Sequence, residues 1–175
     1  MPIVLPKEKI PAKTQNPRRL IIFSKAKRGK TTALANLPGC LIVDTERGSD
    51  YLSALKVQVN SIADINELCK ALKEAGYPYD FIAIDTITML EDVCKPLALK
   101  LYQATPAGAN YTGDIINAPS GAGWGHLRAA VEMVIDRIES CTKNIILVCH
   151  CKDAAIDKSE LTIKQIDLSG KIFVC

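Results

Sequence analysis

Only two histidines and one tryptophan occur in this chain of 175 residues, and no apolar run approaches the ~18 residues a membrane helix needs. No basic start leads into an apolar segment, so a secretory signal is not expected. The scarcity of histidine bears on zinc. The stretch Cys149-His150-Cys151 invites a metal reading, but only His126 remains as a further histidine, and there is no second close cysteine pair. On a strand, 149 and 151 point one way and 150 the other, which prevents the three from converging. A large excess of one charge is also lacking. Lys and Arg total 22 against 19 acids, a net charge of +3, which is too small to demand a nucleic-acid partner.

What is present suits a folded α/β domain. Hydrophobic residues make up 48% and charged residues 23%, the balance of a globular chain rather than a disordered one. The seven cysteines are an odd number, which a disulfide framework would leave with one unpaired. In a reducing cytoplasm, free cysteine packs as a small apolar residue, and several of these lie in apolar surroundings. Buried thiols and a cytoplasmic location are therefore expected. Residues 1–19 carry Lys7, Lys9, Lys13, Arg18 and Arg19 with prolines at 2, 6, 11 and 17, and read as an extended basic arm. Residues 20–175 read as one domain.

Four apolar runs lack polar alternation: Leu20–Phe23, Cys40–Val43, Phe81–Ile84 and Ile145–Cys149. That is the pattern of strands buried on both faces of a parallel sheet. Helical periods separate them. Ser61 and Asp64 form a capping-box-like start before Ile62, Ile65, Leu68, Cys69 and Leu72, while Leu127, Val131, Val134 and Ile138 mark a second helix. Pro96 is expected to kink or interrupt the helix that begins near Ile87. Residues 104–125 form the longest segment without a period, and loops of this length are usually functional or disordered. The final segment, 161–175, reads as strand, turn at Ser169-Gly170, and strand. It is either a natural edge strand or the cut end of something longer.

In α/β sheets of this kind, chemistry collects at the carboxyl ends of strands. After the first run, Gly29-Lys30-Thr31 matches the end of a phosphate-binding loop, with Ser24 where the pattern G-x-x-x-x-G-K-[ST] has its first glycine. Backbone N–H groups of residues 27–31 would cradle phosphate, Lys30 would reach the β- and γ-phosphates, and Thr31 would hold Mg²⁺. Serine in place of that glycine is expected to leave some strain. After the second run comes Asp44-Thr45-Glu46, with Glu46 suited to orienting and deprotonating a water. The third run ends in Asp85, the type of residue that holds Mg²⁺ in a Walker B strand and needs the same metal as Thr31. The fourth ends in His150, placed to sense a γ-phosphate.

The order "GKTT", "LIVDTERGSD", "FIAIDT", "NIILVCH" resembles the RecA-like P-loop ATPases, and most closely the phage-encoded nucleotide-binding proteins of the Sak single-strand-annealing group. The D-x-E context of Glu46, Lys27 two residues before the last loop glycine, and the stretch "GAGWGHLRAAVEMVI" carry the resemblance. It spans about Leu20 to His150. It implies a RecA-like P-loop NTPase fold, a mostly parallel central sheet with helices on both faces. It also implies an ATPase using ATP and Mg²⁺, in the host cytoplasm if phage-encoded, assembling as a homo-oligomeric ring or filament on single-stranded DNA. Lys27, Arg28, Gly29, Lys30, Thr31 and Thr32 would bind nucleotide, Thr31 and Asp85 the metal, and Glu46, Lys30 and His150 would be catalytic. Contacts to DNA would come from Tyr111, Trp124, Arg128, Lys152 and Lys158, the aromatics stacking and the cations meeting phosphate. Lys164 or Lys171 would act in trans on a neighbour's nucleotide.

Two rival readings use the same loop. A small-molecule kinase needs an acceptor pocket and usually an arginine-bearing lid, and residues 104–125 contain no arginine. A degenerate loop that acts through partners without hydrolysis is the reading that Ser24 favours.

Overall fold

The computed structural model describes residues 18–155 and 162–166. Most of the basic arm, Lys158, Lys171 and the Ser169-Gly170 turn lie outside the described residues. Strands and helices are interleaved in the order β1 (Arg19–Ser24), α1 (Lys30–Ala35), β2 (Cys40–Asp44), β3 (Lys56–Gln58), α2 (Ile62–Glu74), β4 (Phe81–Asp85), α3 (Ile87–Gln103), α4 (Ala122–Glu139), β5 (Asn144–Ala155) and β6 (Thr162–Ile166). Each of the four apolar runs is a strand. Five strands form an all-parallel sheet in the order β1-β5-β4-β2-β3, the arrangement of a P-loop NTPase fold. The sixth, β6, pairs antiparallel with the far half of β5, Lys152 opposite Gln165 and Asp153 opposite Lys164.

Side chains on a strand alternate, so the continuous apolar runs feed two cores. Leu41, Val43, Ile82, Ile84, Ile145, Leu147 and Cys149 face one side, where they pack with α2, α3 and α4. Cys40, Ile42, Ala83, Ile146 and Val148 face the other, where Leu34 of α1 joins them. The first layer is broad and the second is thin, because α1 has only six residues. Helices do lie on both faces, as the pattern predicted, but unequally.

Local signals explain the helix starts. Ser61 caps α2, its hydroxyl accepting from the Asp64 N–H at 3.2 Å, while Asp64 Oδ2 accepts from the Asn60 N–H at 2.8 Å. This is close to a full capping box, except that the returning carboxylate accepts from the N–H one residue upstream of the cap. In α4 the buried residues include Leu127, Val131, Val134 and Ile138. Pro96 does not interrupt α3, which runs on to Gln103. Burial of Ile87, Leu90, Cys94, Ala98 and Tyr102 along one face outweighs the hydrogen bond that proline removes. The 104–125 segment is more ordered than its lack of period suggested. It holds two short 3₁₀ turns, Ile115–Asn117 and Pro119–Gly121, and its last residues already belong to α4. Gly123 is required there, since a Cβ would sit 1.7 Å from the Ile115 carbonyl oxygen. One strand, β3, carried too few residues to show a period.

The six described cysteines are free thiols, with Cys40, Cys94, Cys141 and Cys149 buried. Burial pushes the Cys40 and Cys149 thiols up to about 11 and that of Cys94 up to about 12, so they pack as apolar side chains. No described helix is long and apolar enough to cross a membrane.

Candidate functional site

Register and alternation together assemble the site. The sheet pairs Ser24 with His150, Asp44 with Asp85, and Asp85 with Val148. Ser24, Asp44 and Asp85 therefore end their strands at one edge, with His150 level with Ser24 at the point where β5 leaves the parallel sheet and runs on beside β6. Each falls two residues after a strand residue packed on the thin α1 side, so all four face that side. The shallow layer leaves space above them, and the loop from β1 to α1 closes over it.

That loop turns through left-handed backbone at Lys27 (φ 58°) and Gly29 (φ 82°), the latter capping α1. Glycine adopts this conformation at no steric cost. Ser24, by contrast, stays in regular strand backbone, so the strain expected of serine there is absent. The tight turn lies further on, at the residues that bear the positive φ. Lys30 is buried (9% exposed) and its ammonium donates to Ser24 O (3.0 Å), Lys25 O (3.0 Å) and Ser24 Oγ (3.1 Å), with His150 Nδ1 at 3.5 Å. Thr31 Oγ1 donates to Asp85 Oδ2 at 2.6 Å. The two residues predicted to share a metal thus touch each other.

The carboxylates after β2 have separate tasks. Asp44 is consumed by its own turn. One oxygen accepts from the Glu46 N–H (2.8 Å), and the other from the Ser49 N–H (2.9 Å) and the Ser49 hydroxyl. Burial alone would push the Asp44 carboxyl up, but these bonds outweigh it and hold it below the ordinary value. Glu46 instead faces the open space, where it accepts from the Thr86 hydroxyl and lies 3.1 Å from His150 Nε2. His150 thus turns Nδ1 toward the Lys30 ammonium and Nε2 toward the Glu46 carboxylate. Thr86 is anchored in turn: its N–H donates to Thr45 Oγ1 (2.9 Å), and its hydroxyl accepts from Met89 N–H (3.4 Å) at the start of α3. The Asp85–Thr86 peptide is cis.

These groups surround a cavity of about 590 Å³, lined by Ala26, Lys27, Gly29–Thr32, Asp44, Glu46, Gly48, Tyr51, Leu52, Asp85 and His150. Its volume lies within the range of small-molecule sites. Burial raises the Asp85 carboxyl above the ordinary carboxylate value, and Glu46 and Asp44 nearby add to this, opposed by the Thr31 bond and by Lys30. A buried, costly carboxylate beside a hydroxyl is an all-oxygen donor set that fits a hard cation such as Mg²⁺. Among the described residues no group of three or more His, Cys, Asp or Glu gathers as a metal cage. Mg²⁺ characteristically uses few protein ligands and completes its shell with water and phosphate.

The family comparison agrees with this geometry. The model of the AAA domain matches residues 16–173. The chain belongs to the AAA domain family. Comparison with curated proteins returns no match. In this AAA domain, every residue predicted for nucleotide and metal lines the cavity except Arg28. Arg28 lines a neighbouring cavity of about 410 Å³ with Phe23, Ser24, Lys25 and Cys151.

Of the residues predicted for DNA, Trp124 and Arg128 stand one turn apart on α4. Tyr111 packs edge-on to Tyr102, with centroids 5.4 Å apart, and its hydroxyl donates to Asp114 O at 2.7 Å. Trp124 is 36% exposed at the start of α4, and Arg128 has its Nε buried without a hydrogen-bond partner. Lys152 and Lys164 lie on the β5–β6 pair. Sequence reasoning missed Ser49, Tyr51, Leu52 and Thr86. Thr86 had a legible signal, a threonine directly before an apolar helical run, where N-caps belong. Tyr51 and Leu52 sit in an irregular segment and had none.

Proposed function

We propose that this AAA domain binds Mg·ATP in the 590 Å³ cavity and hydrolyses it, with Glu46 activating water. The observation that carries the proposal is the convergence of Lys30, Thr31, Asp85, Glu46 and His150 from four neighbouring strands onto one space. Gly29 and its neighbours would hold the phosphates through backbone N–H groups, with Lys30 on the β- and γ-phosphates. Mg²⁺, when bound by Thr31 and Asp85, neutralises charge on those phosphates. Glu46 leaves the Thr86 hydroxyl to accept a proton from the attacking water, and His150, already touching both Glu46 and Lys30, reports the γ-phosphate between them. Tyr51, 98% exposed on the rim, is placed to stack on the base.

The resemblance to the Sak group supports a further reading: an oligomeric ATPase acting on single-stranded DNA in recombination or annealing. Under it, Tyr111, Trp124, Arg128, Lys152 and Lys158 contact DNA, and Lys164 or Lys171 serves a neighbouring subunit. The test is phosphate release from ATP with and without single-stranded DNA at two salt concentrations. DNA stimulation that fades at high salt supports the reading, because phosphate contacts weaken as counterions accumulate. Turnover indifferent to DNA leaves the ATPase and removes the DNA role. Phosphorylation of a small molecule would point to the kinase alternative, and nucleotide binding without turnover to the degenerate one.

A further inference from the structure

Ser24 occupies the position where the phosphate-loop pattern has glycine, and the structure shows what the extra atoms do. A lysine ammonium has three protons and no acceptor. In Lys30 those three protons face three oxygens at 3.0–3.1 Å: the carbonyls of Ser24 and Lys25, and the Ser24 hydroxyl. Any residues at 24 and 25 would supply the two carbonyls. Glycine could not supply the third acceptor. The hydroxyl donates its own proton to Lys25 O at 3.1 Å, which leaves its lone pairs turned toward the ammonium. His150 Nδ1, at 3.5 Å, waits as a fourth and weaker acceptor. The ammonium is saturated by the protein itself.

We infer that Ser24 is a latch on the loop lysine. Its hydroxyl takes the hydrogen bond of the third ammonium proton and must give it up before Lys30 can meet the phosphates of a nucleoside triphosphate. Serine at this position therefore does not break the loop. It lowers nucleotide affinity by placing an internal competitor where the β- and γ-phosphate oxygens would bind, and it shields the amine until a polyanion displaces it. The inference rests on the reading of the cavity as a nucleotide site.

The experiment uses the full chain in three forms: wild type, Ser24→Ala and Ser24→Thr. Acetylation of Lys30 by acetic anhydride is read by peptide mass spectrometry without nucleotide, and Mg·ATP affinity is read by calorimetry. The latch predicts faster Lys30 acetylation in Ser24→Ala, with other lysines unchanged, and Mg·ATP binding tightened about two- to tenfold. Ser24→Thr, which keeps a hydroxyl, should stay near wild type in both. Unchanged Lys30 acetylation in Ser24→Ala overturns the latch whatever ATP does. Weaker ATP binding in Ser24→Ala overturns it too, and assigns the hydroxyl to positioning Lys30 on phosphate. Faster acetylation with no ATP binding by any form supports the hydroxyl–ammonium contact and rejects the nucleotide reading instead.

Discussion

The two faces of the sheet obey opposite rules. On the broad face, Val43, Ile82, Ile84, Ile145 and Leu147 are buried with α2–α4, and no charge of the candidate site intrudes. On the thin face, the same strands carry Asp44, Asp85 and His150 at one edge, with the buried Lys30 opposite them. One face collects apolar area. The other collects polar groups whose desolvation is costly and which share a chain of hydrogen bonds, Ser24–Lys30–His150–Glu46–Thr86. The difference teaches that apolar burial on one side of the sheet offsets the cost of holding desolvated polar groups on the other.

The comparison can be broken from either side. The largest effect on stability should come from Ile84→Ala, a fully buried broad-face residue, at about 2–5 kcal/mol. Chemical denaturation should show the loss; a change below about 1 kcal/mol would mean the broad face is not where the stability lies. Lys30→Ala should do the reverse, lowering Mg·ATP affinity roughly a hundredfold, a cost of about 2.7 kcal/mol, while the nucleotide-free protein keeps its folded circular dichroism. Retained affinity would remove Lys30 from the site.

A smaller effect sharpens the contrast. Because burial raises the Asp85 carboxyl, folding is favoured by its protonated form at low pH, and that contribution is lost as pH climbs through the raised value. Asp85→Asn removes the penalty and can still accept from Thr31. The nucleotide-free variant should therefore melt a few degrees above wild type at neutral pH, about 1 kcal/mol, with the gap closing as pH falls. It should also lose Mg²⁺-dependent stabilisation by ATP. A gap that ignores pH, or a less stable variant, would contradict the assignment of Asp85 as a carboxylate held for a cation.

Much of this was legible in the sequence, for reasons that can be named. Strands buried on both faces appear as unbroken apolar runs, so β1, β2, β4 and the parallel half of β5 could be read directly. The separate tasks of Asp44 and Glu46 could not, because two carboxylates in D-x-E look alike until Ser49 closes on the first. The continuity of α3 through Pro96 was not legible, because proline signals a break locally while the packing that holds α3 is tertiary. The order in 104–121 was hidden because 3₁₀ turns and close glycine contacts have no period. Ser24 was read from its backbone consequence, strain, whereas its effect lies in the hydroxyl.

The most direct test of the central claim is phosphate release from Mg·ATP by wild type and Glu46→Gln side by side, with ATP binding measured in both. The account predicts binding by both proteins and a fall of roughly 10²–10⁴-fold in turnover for the variant. Equal turnover would show that Glu46 does not activate water and that the chemistry assigned to this strand end belongs elsewhere.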